Sequence, residues 1–167
     1  MENPKIRQAV ILAGGRGRRL EPFTDCSPKP MYPICGKPFI EYLLEQVISF
    51  GIDNILMLLG YLPEKIMDYL GNGDRYGARI TYNVTPEAYD TGERLLAAET
   101  QIEDKFLLLY CDNYCPIDFK RLIRDFYDNN SLIQISAYAN KDHYTKDNLR
   151  ISENGCVAVY DKKRIQG

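Results

Sequence analysis

Three places in this sequence carry side chains suited to handling phosphate. Gly14, Gly15 and Gly17 are interleaved with Arg16, Arg18 and Arg19 in a stretch that directly follows a short apolar run. Glycine lets the backbone approach a phosphate closely, and its exposed N–H groups form an anion nest. Arginine adds charge-assisted donors whose planar fork matches phosphate oxygens. The spacing is neither of the two commonest phosphate motifs. Leu20 stands where a dinucleotide fingerprint needs its third glycine, and no Gly-Lys-Ser/Thr follows. A tight turn with solvated arginines is the plainer reading, and the arginine load argues against it. Lys29 lies between Pro28 and Pro30, on a backbone expected to be stiff and extended. It offers a polyphosphate one ammonium in a fixed place, although a lone loop lysine is more often just a surface residue. Asp112 sits where the apolar run that ends at Tyr110 closes, one residue beyond Cys111. A single carboxylate beside phosphates is a usual way to hold Mg²⁺, whose other ligands are water and phosphate oxygen. The alternative is an aspartate that caps a turn.

The elements that must position these residues alternate. Residues 8–13 form a continuous apolar run closed by glycines, the pattern of a strand buried on both faces of a parallel sheet. Residues 54–59 and 105–110 repeat it, and 78–84 reads as a further strand. Helical spacing predicts a helix over 39–50 that stops at Gly51. A second helix over 63–70 has proline in its first turn, and further helices are predicted over 91–101 and 118–127. In the third of these helices Thr91 is the expected N-cap, with Asp90 favouring the helix dipole. Thr91-Gly92-Glu93-Arg94 is also a place where a loop could read the edge of a nucleobase. Residues 132–138 read as another strand. Glu153-Asn154-Gly155 is a hairpin turn between strands at 150–151 and 157–160. Strand–helix alternation through residue 130 implies right-handed crossovers and a mostly parallel sheet covered on both faces. The loop after the first strand, residues 14–38, is rich in glycine and proline, and a long loop of this kind inside a domain is usually functional. Ligands of such sheets bind beyond the carboxyl ends of the strands, where the glycine loop and Asp112 both fall. The last forty or so residues turn to strand and turn signals, as for the start of a second lobe.

Composition excludes several classes. The 167 residues are 45% hydrophobic and carry 21 basic against 23 acidic side chains, a net charge of -2. That fits one domain with a real core, and gives no case for a nucleic-acid partner or a disordered polyelectrolyte. No apolar run approaches the roughly 20 residues of a membrane helix. The N-terminal apolar stretch is too short for a signal peptide. The five cysteines form no Cys-x-x-Cys pair, and one histidine, His143, accompanies them. They read as free thiols of a cytoplasmic protein, not as a zinc site. Lys162, Lys163 and Arg164 read as a solvated basic strand end.

Val10-Ile-Leu-Ala-Gly-Gly-Arg-Gly-Arg-Arg-Leu-Glu-Pro-Phe-Thr24, followed by Pro28-Lys-Pro-Met31 and Gly36-Lys-Pro38, resembles the sugar-1-phosphate nucleotidyltransferase family. The likeness continues through Gly60-Tyr61, Thr91-Gly92 and Asp112 to Lys163. It implies an α/β, Rossmann-like three-layer sandwich with a mostly parallel central sheet, the nucleotide-diphospho-sugar transferase fold. A nucleotidyltransferase domain over 1–167 is then expected to be incomplete at its C-terminus, because the family draws a second metal-binding Asp and much of its sugar pocket from later in the chain. The resemblance implies Mg²⁺-dependent transfer of a nucleotidyl group from a nucleoside triphosphate to a sugar 1-phosphate, with release of pyrophosphate. Leu12, Ala13, Gly14 and Gly15 would line the nucleoside with Gly17, Thr91 and Gly92. Arg19 and Lys29 would be the catalytic cations on the triphosphate, Asp112 the Mg²⁺ ligand, and Lys163 the contact to the sugar phosphate. Homo-oligomerisation or fusion to further domains is compatible with this family.

Some positions depart from the family pattern. Cys111 replaces the glycine before the metal aspartate, and Lys162 replaces an acidic neighbour of Lys163. The Thr-Gly-x-Arg-Leu order of residues 91–95 is similar to glucose-1-phosphate cytidylyltransferases. Other parts resemble heptose- and mannose-1-phosphate guanylyltransferases, so the base stays open. A phosphocholine-type cytidylyltransferase is an alternative, against which Met31 argues. A non-catalytic nucleotide-binding or regulatory module is another.

Overall fold

The structure, a computed structural model, describes residues 6–161. In chain order, β1 (Gln8–Ala13) is followed by a short ladder of β2 (Pro33–Ile34) and β3 (Lys37–Pro38). Then come α1 (Phe39–Ser49), β4 (Asn54–Leu59), α2 (Pro63–Leu70), β5 (Arg79–Val84), α3 (Thr91–Ala97), β6 (Phe106–Tyr110), α4 (Phe119–Asp128), β7 (Leu149–Ile151) and β8 (Val157–Tyr160). The main sheet has the order β5-β4-β1-β6, with every pair parallel. Parallel neighbours cannot be joined by a tight turn, and α1, α2 and α3 occupy the three intervals between successive strands of this sheet.

The two central strands explain their own sequences. All of β1 is buried, as is β4 from Ile55 onward. On one face Val10, Leu12, Leu56 and Leu58 pack with Ala98, joined by Leu95, Ile102 and Phe106. Alternate residues point to the opposite face, and there Ile11, Ile55, Met57 and Leu59 are also fully buried. The predicted double cover is therefore present. The edge strands β5 and β6 keep partly exposed residues such as Val84, Leu108 and Tyr110.

Contacts divide the chain into two compact units, one through Arg124 and the other from Asp125. In the second, β7 and β8 pair antiparallel around a turn whose Gly155 has φ +80°. The strand expected over 132–138 is not formed. Leu132 and Ile133 are 98% and 83% exposed. Strand propensity without a ladder partner or a buried face does not make a strand, and the described ladder of this unit joins β7 to β8 alone. The helix expected over 91–101 ends at Ala97 and is followed by a 3₁₀ turn over Glu99–Gln101. All five cysteines are free thiols. Among the described residues no helix is long and apolar enough to cross a membrane.

Candidate functional site

Strand register brings the phosphate-handling candidates to one edge. Ala13 is level with Leu59, Leu59 with Val84, and Leu12 with Tyr110. The residues after β1, β4, β5 and β6 therefore all leave from the same carboxyl edge of the sheet. Three bonds extend the ladder there. The Tyr61 N–H donates to the Gly14 carbonyl at 3.1 Å, the Thr85 N–H to Leu59 at 3.1 Å, and the Cys111 N–H to Leu12 at 3.1 Å.

The glycine loop leaves this edge with Leu12, Ala13 and Gly14 buried and Gly15 exposed. Gly17 has φ +72°, a left-handed conformation that opens the 3₁₀ turn Arg18–Leu20. A Cβ at Gly17 would lie 2.8 Å from Cβ of Lys29. Glycine is thus required both by the turn and by the close passage of the lysine. Arg18 and Arg19 are exposed. Arg16 differs from them: it faces Asp25 at 3.3 Å and Glu21 at 3.9 Å, and its guanidinium lies 5.1 Å from the centre of the Tyr61 ring. The Tyr61 hydroxyl in turn donates to the Thr24 carbonyl at 2.7 Å, tying the return of the loop to the strand edge.

Lys29 and Asp112 meet. Nζ of Lys29 lies 2.6 Å from Oδ2 of Asp112, with the side chains 26% and 36% exposed. These two residues are 83 positions apart, so only the sheet register unites them. The backbone at Lys29 departs from the extended form expected: Pro28 is extended, but Lys29–Met31 forms a 3₁₀ turn. It is closed by the Met31 N–H on the Pro28 carbonyl at 2.9 Å and the Tyr32 N–H on the Lys29 carbonyl at 3.0 Å. Beside Asp112, burial and the adjacent carboxylate push the Cys111 thiol up to about 12. The thiol is therefore neutral and unreactive at neutral pH.

The first turn of α3 corrects one expectation. Its N-cap is Asp90, not Thr91. Asp90 Oδ1 accepts from the Glu93 N–H at 2.9 Å, and Glu93 Oε2 accepts from the Asp90 N–H at 2.7 Å. Aspartate with glutamate three residues later makes this reciprocal box, which leaves Thr91 inside the helix. Thr91 is half-buried and Gly92 exposed. What joins this turn to the glycine loop is Arg94, which the sequence offered only as part of the Thr91–Arg94 segment and with no role of its own. Arg94 is only 4% exposed. Its guanidinium donates to the carbonyls of Leu59 at 2.9 Å, Gly14 at 3.2 Å and Glu87 at 2.8 Å, and to the Thr85 hydroxyl. Its acceptors are mostly main-chain carbonyls, so residue spacing carries no signal of this role.

Asp112 suits a Mg²⁺ ion that shares its ligands with phosphate. It is an exposed carboxylate just beyond a strand end, paired with Lys29. Among the described residues no group of three or more His, Cys, Asp or Glu side chains could hold a metal. A cation here would take oxygen from substrate and water, as Mg²⁺ commonly does. Lys163 lies outside the described residues.

With this geometry established, comparison with known proteins is specific. The sequence pattern described as nucleotidyl transferase matches residues 8–167. The bifunctional protein GlmU of Methanocaldococcus jannaschii is 35% identical over 116 residues, which cover 70% of this chain and 27% of that protein. The UTP–glucose-1-phosphate uridylyltransferase AglF of Haloferax volcanii is 35% identical over 106 residues, covering 64% of this chain and 43% of that one. The crystal structure of HddC from Yersinia pseudotuberculosis complexed with GMP-PN aligns with a TM-score of 0.66 at 33% identity, covering 74% of this chain and 55% of that one. The chain spans 24% to 31% of the length of the GlmU relatives it matches.

Proposed function

This chain belongs to the nucleotidyl transferase family, and from that premise we propose that it transfers a nucleotidyl group from a nucleoside triphosphate to a sugar 1-phosphate. The observation that carries the proposal is the meeting of Lys29 and Asp112 at 2.6 Å on the sheet edge where the glycine loop emerges. The family, and relatives named for UTP–glucose-1-phosphate and mannose-1-phosphate, support the substrate class.

In this reaction a phosphate oxygen of the sugar 1-phosphate bonds to the α-phosphorus as the bond to the β-phosphate oxygen breaks. The attacking oxygen is already ionised, so no side-chain nucleophile or base is required. What the protein must supply is alignment and neutralisation of spreading negative charge. Backbone N–H groups of Gly14, Gly15 and Gly17 cradle the nucleotide, with Leu12 and Ala13 against the nucleoside. Arg19 and Lys29 are the cations for the triphosphate and for the departing pyrophosphate. Thr91 and Gly92 face the base edge, and Lys163 takes the sugar phosphate. Asp112 would hold Mg²⁺, which supplies charge neutralisation and orientation of phosphate oxygens when bound. Guanine is the first base to test, because HddC was crystallised with GMP-PN. A cytoplasmic setting fits these substrates.

The test is pyrophosphate release from ATP, CTP, GTP, UTP and dTTP against a panel of sugar 1-phosphates. Release that needs both substrates, and falls at least 100-fold in Asp112→Asn and Lys29→Ala, agrees with the proposal. Release that survives either substitution contradicts it.

A further inference from the structure

Arg94 is the most deeply buried charge on the strand edge, and the chemistry above does not use it. Three of its four acceptors are main-chain carbonyls, and they come from three segments: Gly14 after β1, Leu59 at the end of β4, and Glu87 after β5. The fourth, the Thr85 hydroxyl, itself donates to the Leu59 carbonyl at 3.2 Å. Among the described residues no carboxylate forms an ion pair with Arg94. Burial draws the Arg94 guanidinium below its ordinary range, and the carboxylates of Glu87 and Glu93, beyond ion-pair distance, offset part of that cost. The fold also makes room for the guanidinium. A Cβ on Gly14 would lie 2.2 Å from its Cζ, and one on Gly60 would lie 2.6 Å from Nη1. Two glycines that make room for a buried cation held mainly by backbone carbonyls are unusual in a core, and such departures concentrate where function requires them.

The contact with Gly14 has a geometric consequence. In a planar trans peptide the C=O of one residue and the N–H of the next point in opposite directions. The Gly14 carbonyl is held inward by both Arg94 Nη2 and the Tyr61 N–H. The Gly15 N–H of the same peptide is therefore turned outward. Gly15 is exposed with open space around its Cα, and among the described residues nothing accepts from its N–H.

We infer that Arg94 is a positioning residue: its guanidinium locks the Gly14–Gly15 peptide so that the Gly15 N–H is presented to an incoming phosphate before any ligand arrives. The locking follows from the geometry alone; the phosphate it serves rests on the function proposed above. Arg94 touches no substrate in this account. It acts through the loop, by removing the orientational freedom that two adjacent glycines would otherwise have.

The experiment is amide hydrogen exchange on the full chain, comparing wild type with Arg94→Met, Arg94→Lys and Thr85→Val, alongside calorimetric titration with inorganic tripolyphosphate. Lysine keeps the charge but cannot reach carbonyls from three segments with a planar fork. Valine at 85 removes one acceptor with little change of shape, so it carries the test if the Arg94 variants fail to fold. Exchange over residues 14–20 should accelerate at least tenfold in both Arg94 variants and by a smaller factor in Thr85→Val. Exchange across β1 should stay within twofold of wild type. The tripolyphosphate dissociation constant should rise at least tenfold in Arg94→Met. A merely structural arginine would speed exchange in β1 and in the loop alike, and that result overturns the inference. Unchanged loop exchange in all variants overturns it too. If wild type binds no tripolyphosphate while the loop accelerates as stated, the positioning role stands and the phosphate reading fails.

Discussion

Replacing Lys29 with methionine should move metal affinity and triphosphate affinity in opposite directions. Lys29 Nζ sits 2.6 Å from Asp112 Oδ2, so a divalent cation at this carboxylate competes with the ammonium. At an effective dielectric constant of about 20, two unit charges at that separation attract by roughly 6 kcal/mol before desolvation and side-chain entropy are counted. Both side chains keep about a third or a quarter of their exposure, and pairs of that kind retain only about 0.2–1 kcal/mol after those costs. Removing the ammonium should therefore strengthen binding of Mn²⁺ alone by up to about fivefold. The triphosphate, by contrast, loses a charge-assisted hydrogen bond of about 1.5–3 kcal/mol. Its affinity should fall by about 10- to 100-fold. Methionine keeps an unbranched stem of similar length against Gly17, so the loop is not emptied. Electron paramagnetic resonance of free Mn²⁺ reads the first quantity without nucleotide, and calorimetry in excess Mg²⁺ reads the second. Weaker Mn²⁺ binding in Lys29→Met, or an unchanged triphosphate affinity, would refute the exchange of partners argued here.

Three further expectations concern the scaffold. Gly17→Ala forces a side chain into a left-handed turn, which costs about 1–2 kcal/mol, and puts its Cβ 2.8 Å from that of Lys29; urea unfolding should show the loss, and nucleotide binding should weaken with it. Asp90→Ala removes one side of the α3 capping box and should lower stability by about 1 kcal/mol, whereas Thr91→Ala should have a smaller effect because Thr91 is not the cap. Burial pushes both the Cys111 thiol and the Tyr82 phenol up to about 12, against unfolded values of about 8.5 and 10. Both groups are raised, so the unfolded chain releases these protons first, and stability is full below pH 8 and declines steadily from about pH 8.5 through 12; the urea midpoint should be lower at pH 10.5 than at pH 7.5, and Cys111→Ala should reduce that difference.

The sheet was legible because its central strands are buried on both faces. Gln8–Ala13 and Asn54–Leu59 match the predicted runs residue for residue, since a strand with no polar side leaves periodicity little room for error. Proline at the first turn and glycine after the last likewise fixed Pro63–Leu70. Leu132–Tyr138 failed for the opposite reason. Its apolar residues describe a strand only if a neighbour supplies hydrogen bonds, and local sequence contains no information about that neighbour. The pairing of Lys29 with Asp112 lay between these cases. Each residue was identifiable by its own surroundings, and their contact required the register of β1 against β6. Arg94 was not legible. Its partners are backbone carbonyls, which have no residue type to recognise, and its role is visible in sequence only as Gly14 and Gly60, which leave it room.

The central claim is that the glycine loop, Lys29 and Asp112 form one site for a triphosphate and its cation. The most direct measurement is calorimetric titration of wild type and Asp112→Asn with GTP, CTP, UTP, dTTP and ATP, each with and without Mg²⁺. One triphosphate should bind wild type preferentially, and Mg²⁺ should tighten it at least tenfold. In Asp112→Asn the same triphosphate should still bind without Mg²⁺, and adding Mg²⁺ should tighten it no more than about twofold. If Mg²⁺ tightens binding equally in both proteins, Asp112 is not the cation's ligand and the account of the site is wrong.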